Sequence, residues 1–183
     1  MLVFFGMVAS GKSTLAGACA LKWGCRYYNS DVVRKELAGV AAASRQNSGY
    51  NSGIYSHDFS RKTYDSLISL ARKDFEEEAN SCVILDASYQ SLEERRSILS
   101  SFATGYKLLF VYCRCDESVL KRRLEKRLKD PKAVSDGRWE IYVQQKRRFE
   151  PPVELPKEQL ITLDTNLPLE QLIEMLEKAL QQG

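Results

Sequence analysis

Residues 1–14 read Met1-Leu2-Val3-Phe4-Phe5-Gly6-Met7-Val8-Ala9-Ser10-Gly11-Lys12-Ser13-Thr14. An apolar run runs into G-x-x-x-x-G-K-[ST], the pattern of a phosphate-binding loop, or P-loop. The flanks suit it. Leu2-Val3-Phe4-Phe5 reads as a buried strand, and Leu15-Ala16-Gly17-Ala18-Cys19-Ala20-Leu21 as a helix. Each residue type has a chemical reason. Gly6 and Gly11 let the backbone turn with positive φ and come close to a ligand. Successive N–H groups at Ala9, Ser10, Gly11 and onward to Thr14 then face one concavity that suits phosphate oxygens, helped by the positive end of the following helix. Lys12 reaches the β- and γ-phosphates of a nucleoside triphosphate, and the Ser13 hydroxyl ligates Mg²⁺.

Outward from this loop, strands and helices alternate. Cys25–Tyr28 reads as a strand, and 31–37 as a helix with Ser30 as its N-cap. A helix over about 59–79 carries a core stripe of Tyr64, Leu67, Ile68, Ala71 and Phe75. Further strands are expected at 82–86, 107–113 and 159–163, with helices at about 92–102, 117–128, 138–149 and from Pro168 onward. Leu169, Leu172, Ile173, Leu176 and Leu180 stripe the last helix. Five strands each followed by a helix require an α/β/α sandwich in three layers, around a five-stranded parallel sheet. Residues 1–183 form one domain on this reading, with two interruptions. Residues 39–57, rich in Gly, Ser and Asn with Tyr50 and Tyr55, read as a substrate-covering loop or a mobile surface loop. Residues 129–137 read as a lid loop.

Bulk properties exclude several classes. At 44% hydrophobic and 28% charged the chain is an ordinary globular composition. The net charge of +3 gives no general case for nucleic acid or a membrane surface. No stretch has the ~20 apolar residues of a membrane span, and the first strand begins too early to leave room for a leader. The five cysteines, odd in number and irregularly spaced, predict reduced thiols in the cytoplasm. His57, the only histidine, has no partner at metal-ligand spacing.

In such sheets ligands bind at the carboxyl ends of strands. The P-loop, Asp31, Asp86 and the basic helix after Cys115 all lie at such ends. Asp31 suits a base for an acceptor hydroxyl, against the plain alternative of an acidic residue favoured at a helix start. Arg34, one turn on, holds an anionic group of an acceptor or fixes a carboxylate. Asp86 holds Mg²⁺ or pairs with Arg34. Arg123 and Arg127, four apart in Lys121–Lys129, either form a solvated face or stabilise charge on a transferring phosphoryl group. Lys146-Arg147-Arg148 is a second basic run, a solvated face or a contact for a polynucleotide backbone.

These segments carry a resemblance. G-x-x-x-x-G-K-S-T at 6–14, Ser30-Asp31-x-x-Arg34-Lys35, Val83–Ala87, Arg123-Leu124-x-x-Arg127, Gly53-Ile54-Tyr55-Ser56 and Arg148-Phe149-Glu150-Pro151-Pro152 resemble P-loop kinases of the polynucleotide kinase, gluconate kinase and zeta-toxin group. The resemblance implies a P-loop NTPase fold with a short helical lid. It also implies ATP with Mg²⁺, Asp31 as base, Arg34 and Tyr55 toward the acceptor, Arg123 and Arg127 in the lid, and Thr165 beside adenine. The implied activity is transfer of the γ-phosphate to a hydroxyl, on a small metabolite or a 5′-hydroxyl nucleic acid end. The rival is a regulatory module that binds ATP and has no acceptor.

Overall fold

The computed structural model describes residues 1–41, 44, 52–77, 82–129 and 138–182. About half of the expected substrate-side loop, Tyr50 included, and nearly all of the expected lid loop lie outside the described residues.

Five short strands form one sheet: β1 (Leu2–Phe5), β2 (Arg26–Asn29), β3 (Val83–Asp86), β4 (Leu109–Arg114) and β5 (Leu160–Asp164). Their order is β2-β3-β1-β4-β5 and every pairing is parallel. β1 lies at the centre, pairing Val3 with Leu85 on one side and with Phe110 on the other. Its four residues are all buried, as a central parallel strand requires.

Alternation along the strands sends side chains to two cores. Val3, Phe5, Val83, Leu85 and Phe110 face α3 (His57–Glu76) and α4 (Leu92–Ser101), through Leu67, Ile68, Ala71 and Ile98. Leu2, Phe4, Ile84, Val111 and Leu163 face α1 (Lys12–Trp23) and α7 (Leu169–Gln182), through Leu15, Ala16, Leu172 and Leu176. That is the expected three-layer architecture. A third, smaller cluster joins Val8 and Ala9 of the P-loop to α5 (Glu117–Leu128) and α6 (Trp139–Arg148), through Leu120, Leu124 and Tyr142.

Several local expectations are corrected. The short helix α2 (Ser30–Leu37) is capped by Asn29, not Ser30: the Asn29 side chain accepts from the N–H groups of Asp31 and Val32. Ser30 is already inside the first turn. α3 runs from His57 to Glu76, two residues earlier at its start than the stripe suggests, because Ser56 caps it by accepting from the Phe59 N–H. His57 is exposed and faces Asp58 at 3.7 Å. Leu180 is 44% exposed, so the stripe of α7 leaves the core before its end.

The thiols differ too. Cys25 and Cys82, 57 residues apart, form a disulfide just ahead of β2 and β3. The Arg26 N–H donates to the Cys82 carbonyl at 3.0 Å, so strand pairing itself brings the two sulfurs together. Irregular spacing in sequence hides a pairing set by neighbouring strands. Cys19, Cys113 and Cys115 are free.

One buried cation organises the sheet's other side. Arg95, fully buried in α4, pairs with Glu154, whose side chain is 4% exposed. Its guanidinium also donates to the carbonyls of Tyr89, Glu150 and Pro151. It stands over the rings of Phe5 and Phe149. The segment after α6 is thereby fastened to the carboxyl end of β3.

Candidate active site

The P-loop turn follows from contacts at both glycines. Gly6 has φ +142°, and a Cβ there would lie 2.3 Å from the Cys113 carbonyl oxygen of β4. Gly11, at φ +88°, is the N-cap of α1. Between them Ala9 takes φ +58°, a cost of about 1 kcal/mol that the packed loop bears. The loop is tied on every side. The Gly6 N–H donates to the Ser88 carbonyl and the Ser10 N–H to the Met7 carbonyl. The Val8 N–H donates to Gln145 Oε1 of α6 at 2.7 Å.

A crevice of about 910 Å³ opens at the carboxyl end of the sheet. It is lined by Ala9, Gly11, Ser13 and Thr14 of the P-loop, by Asp31 from α2, by Arg123 and Arg127 from α5 and by Thr165 beyond β5. Three of the four sequence-marked strand ends therefore meet in one cavity. Lys126 and Lys129 add cations to its wall, while Leu167, Leu169 and Leu172 add an apolar one. The size suits a nucleotide-scale ligand. Gly6, Ser10, Lys12, Arg34, Tyr55 and Asp86 are not among the lining residues. Gly6 and Ser10 support the loop from behind, Ser10 being 2% exposed. Lys12 opens α1, half-buried. Burial raises the Cys113 thiol pKa, the Lys12 ammonium and the Asp86 carboxylate pulling on it in opposite directions.

Asp86 is fully buried at the end of β3. Its Oδ2 accepts from the Tyr27 hydroxyl at 2.7 Å and from Asn29 Nδ2 at 2.6 Å, while Oδ1 has no hydrogen-bond partner among the described residues. Of the two alternatives for Asp86, the pair with Arg34 is not the one formed. Arg34, 4% exposed, donates from Nη1 to the Ile54 carbonyl and to Ser60 Oγ, and its guanidinium stands 5.0 Å over the Tyr55 ring. The helix turns Arg34 toward α3 and away from the sheet. Asn29 thus has two jobs: its oxygen starts α2, placing Asp31 in the first turn, and its amide holds Asp86. Burial and then the Asp86 carboxylate raise the Tyr27 phenol pKa, keeping it a proton donor to that carboxylate.

The residues fit a hard divalent cation beside the triphosphate. A buried carboxylate with one oxygen unpaired is costly unless a cation compensates it, and the Ser13 hydroxyl lines the crevice. Among the described residues no cluster of three or more His, Cys, Asp or Glu side chains is placed to hold a metal by itself. Phosphate oxygens and water would have to complete its coordination.

The two arginines of α5 divide. Arg123 donates from Nη2 to the Thr165 carbonyl at 2.6 Å, and from Nη1 to Thr165 Oγ1 at 3.1 Å and to the Ala9 carbonyl at 3.4 Å. Thr165 Oγ1 in turn donates to the Ser10 carbonyl at 2.5 Å. Arg123 and Thr165 therefore clamp the P-loop to the end of β5. Arg127 lines the crevice together with Asp31; burial lowers its pKa, and the charges of Asp31 and Asp86 raise it in part. Asn29, Tyr27 and Gln145 carry this geometry without any sequence signal read in advance. Only Asn29 has one that could have been used, since Asn-Ser-Asp offers two candidate caps.

Comparison with known proteins agrees with this architecture. The sequence profile of a family described as AAA domain matches residues 1–152. No curated protein matches the chain. Among solved structures, a sugar kinase from Janibacter sp. HTCC2649 is 23% identical, with 98% of this chain and 93% of that one covered and a TM-score of 0.71. A gluconokinase from Sinorhizobium meliloti 1021 is 19% identical, with 99% and 91% covered and a TM-score of 0.63. The APS kinase of Mycobacterium tuberculosis, in complex with AMPPNP and APS, is 19% identical, with 98% and 96% covered and a TM-score of 0.65. At these identities the likeness is one of fold.

Proposed function

The chain belongs to the AAA domain family, and from that premise we propose that it is an ATP- and Mg²⁺-dependent kinase that phosphorylates a hydroxyl group of a small metabolite. The observation that carries this reading is the shared crevice. Asp31, a carboxylate from the second strand's end, lines the same cavity as Gly11 and Ser13 of the P-loop. A module that only binds nucleotide has no use for a carboxylate on the acceptor side.

In this reading Asp31 takes the proton of the acceptor hydroxyl as its oxygen attacks the γ-phosphorus. The bond from that phosphorus to the β,γ-bridging oxygen breaks and ADP leaves. Arg127, which lines the same crevice as Asp31, meets negative charge on the transferring group. The Arg123–Thr165 clamp holds the P-loop in its turn. Ser13 and Asp86 would hold the Mg²⁺, which neutralises charge on the β- and γ-phosphates. Arg34, buried and outside the crevice lining, binds the Ile54 carbonyl and Ser60 of α3, and in this reading it bears on the acceptor side by holding the helix that carries Asp31.

A small acceptor is favoured because the solved sugar kinase, gluconokinase and APS kinase share the fold over nearly the whole chain. The test is transfer of the γ-phosphate from ATP with Mg²⁺ to a panel of sugars, hydroxy acids and nucleosides, with a 5′-hydroxyl oligonucleotide beside them. Labelled product from a small alcohol supports the reading. Product from the oligonucleotide alone changes the acceptor class. ATP binding with no transfer to any hydroxyl leaves a nucleotide-binding module.

A further inference from the structure

The third apolar cluster joins the P-loop to helices distant in sequence. Val8 and Ala9 pack on Leu120, Leu124 and Tyr142. At its centre is one polar contact: Gln145, 8% exposed, accepts the Val8 N–H through Oε1 at 2.7 Å across 137 residues. In a loop that works by offering N–H groups to phosphate, this one is already taken by the protein. The next residue, Ala9, holds φ +58°, and the Ser10 N–H turns back to the Met7 carbonyl. The Val8 and Ser10 N–H groups are therefore both held by the protein, ahead of Gly11 at the start of α1.

The helix that supplies Gln145 is itself fixed. The Tyr142 hydroxyl donates to Glu117 Oε2 at 2.9 Å and Lys146 Nζ donates to the same oxygen at 2.5 Å, so α6 is held against the start of α5.

We propose that Gln145 is a positioning residue for the nucleotide site, setting the P-loop for phosphate by occupying the Val8 N–H. The inference rests on the reading of the P-loop as the ATP site. Gln145 reaches no reacting atom and acts through the loop. Without its oxygen the buried Val8 N–H has no acceptor, and the peptide turns to find one. The binding-competent loop then becomes a fraction of the population, and apparent affinity falls by that fraction.

The test is ATP affinity by equilibrium dialysis on wild type, Gln145→Leu and Tyr142→Phe, with folding followed by circular dichroism. Gln145→Leu raises the Kd for ATP about tenfold, the size of one lost bond to a buried amide. Tyr142→Phe loosens α6 from Glu117 but keeps the ring and Gln145, so its Kd stays within about twofold of wild type. Equal affinity in wild type and Gln145→Leu, or an equal rise in both variants, overturns the proposal. A wild type that binds no ATP refutes instead the nucleotide-site reading itself. If Gln145→Leu does not fold, amide exchange on the wild type decides. The Val8 amide is then protected equally with and without MgAMPPNP, while the amides of Gly11 to Thr14, ahead of the first helical bond at Leu15, gain protection only with it. Fast exchange at Val8 in the free protein overturns the proposal.

Discussion

Replacing Arg95 with leucine removes the charge at the centre of a buried site where one guanidinium serves a carboxylate and three carbonyls. Glu154 keeps a carboxylate whose side chain is 4% exposed and loses its ion-pair partner. Breaking a buried pair from one side costs roughly 3–5 kcal/mol. The carbonyls of Tyr89, Glu150 and Pro151 also lose a donor, while leucine returns part of the loss by packing against Phe5 and Phe149. A net cost of about 4 kcal/mol follows, a large share of the ~5–15 kcal/mol that holds a domain together. The Tm should fall by roughly 10 °C in a chain of this size. Arg95→Leu with Glu154→Leu removes the stranded charge, and should recover about 2 kcal/mol. It stays below wild type because the three carbonyls remain unserved. Urea unfolding of wild type, single and double variants measures all three. A single variant within about 1 kcal/mol of wild type, or a double variant no better than the single, refutes the reasoning.

Other consequences follow from named contacts. With Cys25 bonded to Cys82, denaturation without reductant exposes three thiols to Ellman's reagent, and denaturation after reduction exposes five. In the native protein Cys115 alone reacts, since Cys19 and Cys113 are buried and burial pushes the Cys19 thiol to a pKa of about 12. Opening that cross-link frees a loop of 57 residues, worth about 4 kcal/mol in a chain-entropy account, so Cys25→Ser should lower the urea midpoint markedly. Gly6→Ala puts a Cβ 2.3 Å from a backbone carbonyl, whereas at Gly11 a Cβ meets only side chains, those of Arg123 and Thr165, at 3.1 Å. Urea curves should therefore rank Gly6→Ala as the more damaging, by at least about 1–2 kcal/mol.

What could be read from sequence was set by local chemistry. The inner strands β1, β3 and β4 show as apolar runs because a parallel sheet buries both of their faces, and the P-loop shows because its glycines and lysine fall within seven residues. Asp31 could be placed at the crevice from its position after β2. The partners of Asp86 could not. Tyr27 and Asn29 reach it because β2 pairs in register with β3, Asn29 opposite Asp86, and nothing in either segment announces that neighbour. Arg34 looked available to Asp86 by charge alone, yet the capped start of α2 points it at Ile54 and Ser60 instead. Arg95 with Glu154, Val8 with Gln145, and Cys25 with Cys82 are all pairs more than 50 residues apart. Such pairs are made by packing, and a single chain read in order carries no signal for them.

The most direct test of the central claim compares wild type with Asp31→Asn in single-turnover phosphoryl transfer from MgATP to the best acceptor, alongside ATP affinity. Asparagine keeps the shape and hydrogen-bonding reach but takes no proton. A base in this position contributes about 10²–10⁴ to the rate. The account predicts a loss of that size with the Kd for ATP within about threefold of wild type. Transfer at a near wild-type rate would contradict it and remove Asp31 from the chemistry.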